Sequence, residues 1–162
     1  MIDWRERPFE ERTLFNPAFC ALVIAAAIRE FERTSRMPMP YSLTLLVLPL
    51  CLHPATRDEI LDNKTISILR VIALRPELLI HFAPRAKALV QYAHEAFALL
   101  SSKGCIEVTG DGCISLLPRK VSPKSLPTAD AEACRSAATV VGRDFARIND
   151  RVTIYTSMSI RP

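Results

Sequence analysis

Glycine is scarce in this chain. There are four in 162 residues, and Gly104, Gly110 and Gly112 fall within nine positions of one another. A loop that cradles phosphate uses glycine so that backbone amides can approach the oxygens, and neither GxxxxGK(S/T) nor GxGxxG occurs. That excludes a nucleotide hydrolase built from this chain alone. No GxSxG marks a nucleophile elbow. The five cysteines, Cys20, Cys51, Cys105, Cys113 and Cys134, contain no CxxC, so the paired close ligands of a zinc site are missing. The three histidines, His53, His81 and His94, have no carboxylate or cysteine at ligand spacing. Asp58, Glu59 and Asp62 are read as solvated acids of a helix start, not as a metal cluster. The expectation is a protein that is not an enzyme, with no catalytic, cofactor-binding or metal residues and no cofactor.

Long apolar runs are also lacking. Pro17 to Ile28 is free of charge for twelve residues and Pro38 to Leu52 for fifteen, whereas a spanning helix needs about 20. The opening MIDWRERPFEER is charged throughout and has no apolar h-region, so neither a secretory signal nor a membrane partner is expected. Reduced, buried thiols and a cytoplasmic location follow as expectations. The net charge of +4 and pI near 8.9 permit nucleic-acid contact without requiring it.

What is present is a hydrophobic fraction of 49%, enough to bury a core in one domain spanning residues 1–162. Residues 1–15 are polar, with Trp4, Phe9, Leu14 and Phe15 as isolated anchors. Asn16-Pro17 is a cap followed by proline at the first helical position, which opens a buried N-terminal helix over 17–33. The stretch from Thr34 to Pro40 reads as a linker. A second helix is expected from Ser42 to about His53, kinked or ended near Pro49. Pro54 opens a short helix with acids in its first turn. Thr65 to Leu74 is a further apolar segment closed by Arg75-Pro76.

The clearest local pattern follows. From Pro84, Ala86, Leu89, Val90, Ala93, Phe97 and Leu100 recur at helical spacing, and Gly104 supplies a stop. CIEVTGDGCISLL, Cys105 to Leu117, then reads as strand, Gly-Asp-Gly turn and strand. A tight register sets Cys105 opposite residues near Leu116 and so keeps it from Cys113. Residues 118–128 form a proline-rich connector. Within 129–162, a C-terminal helix runs from Ala129 to Ile148, and the tail RVTIYTSMSIRP reads as a strand. Helix followed by hairpin gives the fold class: mainly α with a small β-hairpin. Residues 54–117 form a winged-helix-like portion, with additional N- and C-terminal elements.

The charge pattern offers one set of candidate contacts to nucleic acid. Arg70, Arg75, Arg85 and Lys87 precede the hairpin, and Arg119, Lys120 and Lys124 follow it. In a winged helix these would share one side. Against that, the wing tip carries Asp111, and Tyr92 and Phe97 fit a core stripe better than a stacking platform. The two nearly unbroken apolar helices are read in two ways: as surface for a stable protein partner or a homodimer, or, for Pro17 to Ile28, as the central core helix.

Several stretches together resemble a known family. They are ERTLFNPAF (Glu11 to Phe19), PYSLTLLVLPLCLH (Pro40 to His53) with TRDEI, and FAPRAKALVQYAHEAFALLSSKG (Phe82 to Gly104). GRDFARI (Gly142 to Ile148) and TIYTSMSIRP (Thr153 to Pro162) complete the set. In order, and over nearly the whole chain, they resemble the middle component of bacterial three-component ABC-ATPase systems. The resemblance implies a conflict or antiphage module with an SMC/Rad50-like ABC ATPase and an effector encoded nearby. It implies a small adaptor subunit between those two partners, with DNA reached through the complex. It carries a role and no functional residue. A winged-helix DNA-binding regulator is the alternative.

Overall fold

The computed structural model describes residues 6, 8–122 and 126–160, without the side chains of Glu10, Glu11 and Leu14. The chain is mainly helical with a small three-stranded antiparallel sheet. After a short helix α1 (Phe9–Leu14), α2 (Pro17–Ser35) forms the axis of the molecule. Asn16 starts it by accepting a 2.8 Å hydrogen bond from the Ala18 amide, with Pro17 at the first position, where no donor is needed. Cys20, Val23, Ile24, Ala25, Ala27 and Ile28 are all fully buried, because α2 lies between α8 (Ala129–Ile148) on one side and α7 (Phe82–Ser102) on the other.

The expected linker contains a strand. β1 (Met39–Pro40) pairs antiparallel with β3 (Cys113–Leu116), setting Met39 opposite Ile114, and the sheet order is β1-β3-β2 with β2 at Ile106–Val108. Proline is tolerated in β1 because it is an edge strand. The Glu32 carboxylate extends that edge by accepting the Leu116 amide at 3.3 Å. The hairpin register is as expected, with Ile106 opposite Leu116 and the Leu117 amide bonded to the Cys105 carbonyl at 2.9 Å.

The helix expected over 42–53 is two pieces, α3 (Tyr41–Thr44) and α4 (Val47–Cys51). The break falls ahead of Pro49, which sits in the first turn of α4. Pro49 has no N–H to bond the Leu45 carbonyl, so the interruption appears four residues upstream. α5 (Pro54–Asp62) begins at Pro54 with His53 as its cap, which leaves its first turn without acids and puts Asp58 and Glu59 one turn later. α6 (Ile68–Leu74) and a 3-10 turn (Pro76–Leu79) lead into α7, which starts two residues before Pro84 and ends at the left-handed Gly104.

The tail expected as a strand is a helix, α9 (Arg151–Ser157), capped by Asp150, which accepts the Val152 amide at 3.0 Å. Ile154 and Met158, four apart, are fully buried, while Val152 is 56% exposed. That is helical spacing, and it overrides the β-branched composition. Of the proposed N-terminal anchors, Phe9 is 71% exposed and so is not buried against the described residues. Phe15 stacks on Tyr92 with ring centres 4.4 Å apart. Trp4 lies outside the described residues. A helix-then-hairpin order with a third strand donated from upstream of residue 54 is compatible with a winged helix.

Candidate functional site

The basic residues singled out from the sequence are dispersed. Arg70 is exposed on α6. Arg75 is paired with Glu59 at 2.7 Å and with Glu77 at 2.5 Å. Arg85 is half-buried: its Nε donates to the Pro49 carbonyl at 3.3 Å and its guanidinium lies 5.2 Å from the Phe82 ring centre. Desolvation lowers its pKa from the ordinary arginine value. Lys87 is exposed near the start of α7. Arg119 and Lys120 are exposed beyond the hairpin, where the Lys120 carbonyl approaches the Cys105 sulfur just past the far end of α7. From Arg85 to Lys103 the helix rises about 27 Å. Lys124 lies outside the described residues.

Buried charge is committed to holding helices together. Arg57 on α5 is 8% exposed and donates to Asp130 at 2.7 Å, to Asp58 at 3.0 Å and to the Cys134 sulfur at 3.4 Å. Burial alone would lower its pKa, but the bonds to Cys134, Asp58 and Asp130 dominate and raise it. Asp144 on α8 is 2% exposed. Its carboxylate accepts the Ile68 amide at 2.9 Å, which closes the open start of α6, and pairs with Arg143 at 3.0 Å. Arg143 also donates to the Lys64 carbonyl at 2.6 Å. No local sequence signal marks these links, since Arg57 and Asp130 are 73 positions apart.

The His53 ring nitrogen accepts the Thr56 amide at 3.4 Å, and burial followed by the nearby Arg85 lowers the His53 pKa. All five cysteines are free. Burial pushes Cys20 up to about 12 and Cys51 well above the ordinary thiol range. Among the described residues no group of His, Cys, Asp or Glu could hold a metal ion, and no helix is long and apolar enough to cross a membrane.

Two grooves stand out from this surface, both at the C-terminal end of α7. One, of about 480 Å³, runs between α7 and the sheet and is lined by Tyr41, Phe97, Ala98, Ile106, Val108 and Ile114. Val108 is 63% exposed at its rim. The other, of about 360 Å³, lies between α7, the start of α2 and the chain after the hairpin. Ala18, Leu22, Leu99 and Val121 line it, and among the described residues Lys103 and Lys120 are its charged ones. A helix turns by about 100° per residue, so Phe97, Ala98 and Ser101 point about 160° away from Leu99, Leu100 and Lys103. The helix end thus has an apolar groove on each of two opposite sides. The alternation of Ile106, Glu107 and Val108 was readable beforehand; the role of Tyr41 was not, because it depends on β1 joining the sheet.

Compared with known proteins, the chain matches the family model described as ABC-three component (ABC-3C) system Middle Component 3 over residues 4–162. None of the curated proteins and none of the solved structures matches it. The chain belongs to that middle-component family.

Proposed function

We propose that this middle component is a non-catalytic adaptor that joins an SMC/Rad50-like ABC ATPase to an effector protein in a bacterial antiphage or conflict system. The observation that carries the reading is the pair of apolar grooves facing opposite ways from one helix end. A piece that links two proteins needs two separate surfaces held in fixed relation. The last turns of α7, packed between α2 and the sheet, supply such a mount. The buried Arg57 and Asp144 support a structural role for the polar interior, since both are committed to joining helices. The scatter of the basic residues favours DNA contact through the ATPase over contact by this chain. Five free thiols, four of them buried, suit work in the cytoplasm.

A tagged pull-down from the native host after nuclease treatment tests the role. Recovery of an ATPase and an effector is the expected result. Leu22→Glu, in one groove, should release one partner and keep the other; Ile106→Glu should do the reverse. Recovery of the protein alone, or loss of both partners from either variant while the fold persists, would overturn the two-sided arrangement.

A further inference from the structure

The groove between α7 and the sheet runs beside a free strand edge. β2 pairs only with β3, and among the described residues no strand lies on its other side. The register fixes which backbone groups are unused. The Leu117 amide bonds the Cys105 carbonyl, and the Thr109 amide bonds the Cys113 carbonyl, both at 2.9 Å. Along an antiparallel pair these bonds alternate, so Cys105, Glu107 and Thr109 turn their backbone groups toward β3. Ile106 and Val108 turn theirs outward. Their side chains line the groove with Phe97 and Tyr41, and Glu107 stands exposed on the opposite face.

Glu107 narrows the choice of occupant. If two copies of β2 paired antiparallel in the register that overlaps the whole strand, the two Glu107 carboxylates would lie directly opposite each other. Like charges so placed are destabilising, which disfavours self-pairing in that register. The exposed Asp111 at the turn adds acid to the same hairpin. We propose that β2 takes an extended segment of a partner protein as a fourth strand, with the pattern apolar–basic–apolar. The basic side chain faces Glu107, and the two apolar ones lie beside Ile106 and Val108 over the groove. Backbone bonds to Ile106 and Val108 supply attachment, and the alternating side chains supply selectivity. The inference deepens the adaptor reading and rests on it for the source of the segment.

The test uses the isolated full chain and short capped peptides with valine–lysine–valine or valine–glutamate–valine at their centre, followed by amide NMR. The expected result is that the lysine peptide shifts the Ile106 and Val108 amides and binds at least about fivefold tighter than the glutamate peptide. Glu107→Lys should reverse the preference. Val108→Pro should abolish binding and keep the hairpin, because the amide it removes points away from β3. A lysine peptide N-methylated at the residue facing Val108 should also fail to bind, with the protein left unaltered. Equal binding of both peptides, no shift at these amides at millimolar peptide, or full binding to Val108→Pro would overturn the proposal. The peptides need neither ATPase nor effector, so a failed pull-down with a responsive edge sinks the adaptor role alone. A silent edge with an intact complex sinks this inference alone.

Discussion

The carbonyl oxygen of Ala27 on α2 stands 2.1 Å from where a Cβ on Gly142 of α8 would lie. The two longest-packed helices therefore touch backbone to backbone, and the fully buried Ala137, Ala138 and Val141 keep the rest of that face thin. In an exposed helix, glycine to alanine stabilises by about 1 kcal/mol. Here the sign should invert. Gly142→Ala should cost about 3 kcal/mol or more in urea unfolding, because neither colliding group is a flexible side-chain end. A neutral or stabilising result would show that α8 can slide on α2.

Asp144 serves a different helix from the one that carries it. Asp144→Ala removes the acceptor for the Ile68 amide and the partner of Arg143, and should cost about 3 kcal/mol. Asp144→Asn retains an oxygen for the amide and loses only the ionic partner, so it should cost about half as much. Equal losses from the two variants in denaturant titrations would place the effect in the charge and not in the cap.

Acid should weaken the start of α8. Glu132 is bonded to Arg135 and accepts the Leu126 amide at 2.9 Å, and these hold its carboxyl down at about 2 against an ordinary 4.5. A depressed folded pKa means that the contribution is complete above pH 4.5 and is lost as pH falls through 2. The melting temperature should fall over that window, and Glu132→Gln should flatten that part of the curve. An unchanged acid limb in the variant would remove Glu132 as a contributor.

Direct binding to DNA should be weak and only mildly dependent on salt. Each neutralised phosphate adds about 0.9 to the slope of log affinity against log salt. With Arg75 paired to two acids and Arg85 about 27 Å along α7 from Lys103, a slope magnitude below about 3 is expected by fluorescence anisotropy between 50 and 200 mM salt. A slope near 6, reduced by Arg85→Glu or Lys120→Glu, would favour the regulator.

The sequence alone determined the elements whose signals are local. Asn16-Pro17 started α2, the spacing from Ala86 to Leu100 with Gly104 marked the body and end of α7, and Gly-Asp-Gly set the hairpin register. Each depends on caps, periodicity or turn geometry within a few residues, so no distant contact was needed to read them. The tertiary structure decided the rest. Met39–Pro40 became a strand only because β3 offered an edge, and 151–157 became a helix because Ile154 and Met158 found the core together. The grooves belong to this second group. Phe97 and Leu99 are two residues apart in sequence, but they face opposite partners because a helix turns them apart and the sheet and α2 then wall off each side.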